Sequence, residues 1–498
     1  MIALAVAASF TLIEARHGAR AGIGDEGSGG KAVAHYAGGR PIHSIGHIPT
    51  MKLFRLKDDS GQPINSGEPT LGVTNEDNIF YTAIQSNTRV EIVRSTNEGK
   101  SWDIVSPKFP NGRNAQLLSF DPYVWVDDSE GADRIFTIDL TVACAYLSFS
   151  DDEGKTWTTN PVACGRPVND HQTLFSDPPA ISPTVNFPNV VYYCWNDIGS
   201  SSCSKSLDGG ISWVPTGSPA YAGYDPNAEE PGLPESPTKH TPANCGGLHG
   251  HGHVGVDGTV YMPKGHCGQP WLAMSHDEGA TWERVQVANQ GMSNHEASVA
   301  TDPKGNIYYV YGGKDRLVYL VVSKDGGKTW TKPLMVSAPG VNETNLPSLD
   351  VGGVGKIAIA YMGSTNSPGQ PFPQSPGSQT NPDCFTAQLP CPPPEEYKDT
   401  TWNGYMTISA NVFDKNPLFY SAPVNDPKDP FKRGTCVEGL GRCGNQILDF
   451  IDVVIAPDGE VWSSWVDACV LACAARDGTQ DAGSEAVVGH FAGGPNLR

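Results

Sequence analysis

The octet STNEGKSW (Ser95 to Trp102) returns as SDDEGKTW (Ser150 to Trp157), SLDGGISW (Ser206 to Trp213), SHDEGATW (Ser275 to Trp282) and SKDGGKTW (Ser323 to Trp330), at start-to-start spacings of 55, 56, 69 and 48. Self-similarity at a period of about 50 residues means stacked copies of one supersecondary unit, and this must be settled before any motif is read as chemistry. Alone, Asp151, Asp152 and Glu153 look like a calcium loop or a catalytic carboxylate pair. The repeat argues for a turn instead. A short acceptor at position three takes hydrogen bonds from backbone N–H groups ahead of it. Glycine at position five permits positive φ, and tryptophan closes the turn with an apolar plate. Asn97 fills position three of the first copy, a change that a turn tolerates better than a metal or an acid site does. Only Asp152 holds the repeated position, so Asp151 and Glu153 are expected to be solvated.

Strands of alternating apolar residues precede the octets, among them RVEIVRS, CAYLSFS, WLAMS and LVYLVVS. On these features the chain resembles the sialidase-like (BNR) Asp-box β-propeller superfamily. The resemblance implies an all-β fold of four-stranded blades in which each box joins the third and fourth strands and is structural. A second series of turns lies upstream of the boxes and continues past them: TNEDN, VDDSEGADR, SDPPAISPTVNFPN, VDG, TDPKGN, VGGVGK and APDGE. They count seven units, the last two without a recognisable box, and predict one seven-bladed propeller over 61–498; a six-bladed ring, as in sialidases, is the alternative. Pro/Gly-rich inserts fall at 214–245 and 364–398. The last unit carries about three strands, and the segment 22–60 is a candidate for its fourth; closure with both termini would remove exposed sheet edges.

The twelve cysteines fall into local pairs, 144/164, 194/203, 245/267, 384/391, 436/443 and 469/473. The first three pairs straddle turn signals, which places the two cysteines of each on facing strands within disulfide reach. That pattern predicts an oxidising, secreted or periplasmic location. The apolar start MIALAVAASFTLI reads as a leader over 1–21, with an ordinary buried strand as the alternative. No run reaches the roughly 20 apolar residues of a membrane helix. A net charge of −20 without a Lys/Arg cluster excludes a nucleic-acid groove.

In this superfamily ligands bind at the mouth opposite the boxes, where first strands begin and second strands end. The starts offer Glu68, Asp121, Asp170, His171, His249, His251, His253, His295, Glu296, Asn345, Asp449 and Asp452. The ends offer Asp139, Asn196, Asp197, Lys264, His266, Asp315, Arg316 and Asp467, and the connections add Arg113, Arg166, Arg433 and Arg442. Asp170, His171, His295 and Glu296 are the acid/base candidates, with Arg166 and Arg316 as charge partners. In HGHGH, His249, His251 and His253 would share one strand face and make a divalent metal site one reading of the cofactor question; a Gly-rich loop with hydrogen-bonded histidines is the other. Sialidases typically carry an Arg in an [FY]-R-I-P motif and an arginine triad. Here Arg40 is followed by Pro-Ile, out of order, and no Arg lies between Arg166 and Arg284. Three functions remain open: glycan processing of glycoside hydrolase type, non-catalytic binding of a carbohydrate or other extracellular ligand, and a metal-centred propeller.

Overall fold

The computed structural model describes residues 22–23, 25–43, 47–58, 60–84, 90–108, 119, 121–129, 132–141, 144–164, 169–196, 200–217, 219–221, 246–266, 269–368, 399–434, 451–470 and 484–498. The leader expected at 1–21 and most of both inserts lie outside them. The described residues are strands, turns and bends with no helix.

The octets are turns, as their chemistry requires. In the second copy Ser150 Oγ donates to Asp152 Oδ1 (2.9 Å) and accepts the N–H of Gly154 (2.9 Å). Asp152 then accepts the N–H (2.8 Å) and the hydroxyl (2.6 Å) of Thr156. Trp157 Nε1 donates to Gly154 O (3.1 Å) and to Val105 O of the preceding blade (2.7 Å), so the turn is also a contact between blades. Gly154 is needed twice: its φ is +76°, and an added Cβ would lie 3.1 Å from Val105.

Position four is left-handed too, at Glu98, Glu153 and Glu278 (φ 58, 60 and 57°). For Glu153 the expectation of a solvated acid is overturned. Glu153 is half-buried and accepts Asn78 Nδ2 of the preceding blade (3.0 Å). Glu278 is fully buried, accepting Lys205 Nζ (2.7 Å) and the N–H groups of Ile181 and Ser182 (2.9 and 2.8 Å). Asp151 is exposed but paired with both arms of Arg134 (2.6 and 2.7 Å). At Glu153 and Glu278 the left-handed turn projects position four onto the neighbouring blade, while Glu98 stays exposed and pairs with Lys100 (3.0 Å).

The strands form seven sheets. Blades 1 to 6 are antiparallel meanders whose innermost strands are Thr70–Val73, Tyr123–Asp127, Asp170–Asp177, Gly246–His249 with His253–Val254, Met292–Thr301 and Glu343–Val351. Blade 7 runs Asp452–Ile455, Val461–Asp467 and Glu485–Ala492, then takes its fourth strand, Thr50–Arg55, from the other end of the chain. Each innermost strand touches the next, and Asp452–Ile455 returns to Thr70–Val73, closing the ring. The N-terminal segment laces three outer edges: Asp25–Ser28 on blade 7, Val33–Tyr36 on blade 6 and Gly22–Ile23 on blade 1. Those edges would otherwise present unpaired N–H and C=O groups.

The core lies between blades. Phe136, Ile138 and Leu147 of blade 2 pack on Leu174, Val191 and Tyr193 of blade 3, and Tyr308 and Val310 of blade 5 pack on Ile357 and Ile359 of blade 6. Blade 6 holds a box the sequence hid. Ser409 Oγ donates to Asn411 Oδ1 (3.3 Å), which also accepts the N–H of Leu418 (2.9 Å). Phe413 takes the plate's place 5.9 Å from Tyr308 of the preceding blade. Cys144–Cys164 and Cys194–Cys203 are disulfides, the second between directly opposed residues. Cys469 is bonded to a partner outside the described residues. The other pairings expected from the sequence also fall outside them.

Candidate functional site

Every octet joins a third strand to a fourth, so the boxes share one face and the first strands begin on the other. At that mouth the ladder is irregular. Pairing of the first and second strands slips between Asp170 and Thr173, Gly246 and His249, Met292 and Ala297, and Asn345 and Ser348. His171 and Leu346 have φ of 46 and 53° within these slips, and Glu68, just before Thr70–Val73, has a φ of 50°. Backbone held in the left-handed region costs energy and persists only where the surroundings enforce it.

Carboxyls from three blades meet there. Asp121 of blade 2 is buried, hydrogen-bonds to Glu68 of blade 1, and accepts the N–H of His171 of blade 3 at Oδ2 (3.0 Å). Burial pushes the Asp121 carboxyl up, against the pull of these bonds. Asp170 is exposed by surface area, yet enough chain surrounds it that burial is the first cause of its shift, and the charge of Asp121 adds to it; the carboxyl is pushed up to about 6. Tyr193 stands behind them, its hydroxyl donating to Gln172 Oε1 (3.1 Å). Burial and then Asp121 and Asp170 raise its phenol well above the usual range. Tyr193 sits in the apolar run VVYYCW and carried no signal as a site residue; only its place near the mouth end of a second strand marks it. Asp139 of blade 2 is buried with Oδ1 lacking a partner, and burial lifts its carboxyl to about 8.

The histidine triplet does not make the shared face expected of it. Four steps from His249 to His253 oppose three steps from Lys264 to Tyr261, a bulge that breaks the alternation. His249 stands edge-on to His171 (6.0 Å between ring centroids) and His251 edge-on to Tyr123 (5.5 Å), with Nδ1 3.8 Å from Asp452 Oδ1. His253 Nε2 accepts the N–H of Thr301 (3.1 Å). The three rings thus go to blade 3, to blades 2 and 7, and to blade 5. Burial lowers all three, His251 and His253 to about 4, so they are neutral at ordinary pH. Among the described residues no group of three His, Cys, Asp or Glu converges to hold a metal. The glycines have a packing role instead. A Cβ on Gly250 would lie 1.6 Å from Ala297 O of blade 5, and one on Gly252 would lie 2.2 Å from the Phe175 ring of blade 3.

The remaining candidates separate. Arg316 is buried and ion-paired with Glu343, which is also hydrogen-bonded to Ser367; the trio ties blades 5 and 6 at the base of the second insert. Asn366 Oδ1 accepts the N–H of Thr401 (2.9 Å) and closes the same base. Asp467 pairs with Arg55. Lys264 is buried with its ammonium 5.1 Å from the Tyr221 ring centroid. His295 and Glu296 lie in the strand Met292–Thr301, within its register slip, and their side chains fall outside the described residues. Arg166, Arg113, Arg442, Asp197 and Asp449 lie outside them altogether. The arrangement brings together Asp170, His171 and His249 with Glu68, Asp121 and Tyr193: a carboxyl able to hold or release a proton near neutral pH, close to the neutral imidazole of His249.

A BNR/Asp-box repeat model matches residues 321–332, the last full octet. No curated protein matches the sequence. Among solved structures the chain is similar to a Hadza microbial sialidase (16% identity, 62% of this chain and 66% of that one, TM-score 0.40). It is similar to a mutant of the Aleuria aurantia lectin in complex with Fucα1-6GlcNAc (11%, 73% and 98%, TM-score 0.39). A GH74 xyloglucanase from Xanthomonas campestris is also similar (15%, 89% and 72%, TM-score 0.39). With its repeated octets on one rim of a closed ring of sheets, the chain has the fold of a sialidase-like Asp-box (BNR) β-propeller.

Proposed function

We propose that the chain is an extracellular glycan-processing propeller of glycoside hydrolase type, with Asp170 as its general acid at the mouth opposite the boxes. One observation carries this reading: Asp170 is exposed at the mouth, yet burial among neighbouring chain and the charge of Asp121 lift its carboxyl to about 6. A carboxyl in that range is still partly protonated where ordinary Asp is fully ionised, which suits protonation of a glycosidic oxygen. Glu296, on blade 5, is the candidate for the second carboxyl. The disulfides suit an oxidising compartment.

Turnover of sialosides, arabinans and uronate polymers by the purified chain, with and without D170N, tests the reading. General acid catalysis is commonly worth about 100-fold or more, and D170N is expected to lose at least that on whichever glycan is turned over. Equal turnover by D170N removes Asp170 as the acid. Binding without turnover leaves a lectin-like propeller, and neither binding nor turnover ends the glycan reading.

A further inference from the structure

We propose that Glu68 and Asp121 are positioning residues of the mouth: one buried carboxyl pair, sharing a single proton, that holds the His171 backbone in place and fixes the charge beside Asp170. The proposal rests on the reading of Asp170 as the acid, and it reaches residues on two further blades. Glu68 opens blade 1, Asp121 blade 2 and His171 blade 3, so the pair is assembled only by closure of neighbouring sheets.

Both carboxyls are buried and hydrogen-bonded to each other. Two carboxylates offer only acceptors, so a bond between them requires that one keep its proton. The pair therefore carries about one negative charge, not two, at neutral pH. Its free acceptor capacity is used on the N–H of His171 (3.0 Å to Asp121 Oδ2). His171 and Glu68 are both left-handed, at φ of 46 and 50°. A non-glycine residue needs enforcement to stay there, and the bond to Asp121 supplies it for His171. Deprotonating the pair would put two like charges in contact.

His249, fully buried, packs on the His171 ring and hydrogen-bonds to its backbone, a second contact that holds this residue at the blade boundary. The titratable groups facing Asp170 are Asp121 across the blade boundary, to which Glu68 is bonded, and Tyr193 on its own sheet. The His171 backbone N–H bonds Asp170 as well, and His249, under the charge of Lys264, packs on the His171 ring.

The pair can be examined without any substrate. Carboxyl-carbon NMR of Asp- and Glu-labelled protein, assigned with E68Q, D121N and D170N, reports each proton directly. In the wild type one of Glu68 and Asp121 is expected to stay protonated at pH 7; both ionised by pH 5 overturns the proposal. E68Q keeps a donor to Asp121 and the same net charge, so the Asp170 midpoint is expected to hold within roughly a quarter of a pH unit. D121N leaves the pair's charge on Glu68, away from the position that acts on Asp170, and the midpoint is expected to fall by roughly half a unit or more. Equal midpoints in all three proteins overturn the proposal. If D121N does not fold, the wild-type and E68Q titrations still decide. Where turnover exists, the alkaline limb of kcat/KM moves to lower pH in D121N and stays put in E68Q, a split that mere loss of structure does not give. Absence of turnover on any glycan would end the hydrolase reading and leave the titration result standing.

Discussion

Asp152 ties its turn by accepting an N–H and a hydroxyl from Thr156 and the hydroxyl of Ser150. Against the pull of burial, these bonds hold its carboxyl below the usual range. D152A strands those donors and is expected to cost about 1 kcal/mol in urea unfolding, while D152N costs less. Asn97, which accepts the Ser95 hydroxyl and the Ser101 N–H and donates its own N–H to the Ser101 hydroxyl, shows that the amide suffices. An equal loss in both variants would mean that charge, not acceptor geometry, matters. Asp152's task was legible because five copies vary around it. Glu278's was not: its partners, Lys205 and the 181–182 backbone, are distant in sequence, and nothing local distinguishes it from a solvated acid.

At the scale of strands, ring closure rests on Thr50–Arg55, whose ladder to Glu485–Ala492 is sealed by one side chain. Arg55 bonds Asp467 (2.5 Å), Glu485 (3.1 Å) and Asp429 (3.3 Å), bridging blade 7 and the connection from blade 6. R55M would leave Asp467, 2% exposed, without its cation. With Arg55 itself part-exposed, a loss of about 2 kcal/mol is expected. Limited proteolysis should then cut near residue 50 faster in the variant than in the wild type; cleavage at equal rates would mean that the backbone ladder alone holds the strand. The need for a donated strand could be read from the sequence, since the last unit is one strand short. Arg55's role could not, because its partners lie 374 or more residues away.

Over the whole molecule, burial raises several carboxyls together. Asp139 and Asp177 reach about 8, Asp452 about 7 and Asp467 about 6, with Asp127 and Asp128 adding to the effect at Asp177. Each folded pKa exceeds its unfolded value of about 4. Their contribution to stability is therefore full below about pH 4 and is lost as pH rises through 6 to 8. Glu278 runs the other way: hydrogen bonds led by Lys205 outweigh burial and hold it at about 2, so its contribution is present above about pH 4 and lost as pH falls through 2. Thermal unfolding is expected at a lower temperature at pH 8.5 than at pH 5. D139N should raise Tm at pH 8.5 and change it little at pH 5; a Tm higher at pH 8.5 in the wild type would contradict this account. The sequence by itself determined the all-β class, the repeated turn, the face that the turns occupy and the local disulfides Cys144–Cys164 and Cys194–Cys203, because each is written in residues near one another along the chain. Only the tertiary structure decided which mouth residues meet. A one-residue bulge at Gly250–His253 sends three histidines to different blades, and closure of blades 1 to 3 joins Glu68, Asp121 and Asp170. Such meetings depend on register and on contacts across blade boundaries, which no spacing within one strand encodes.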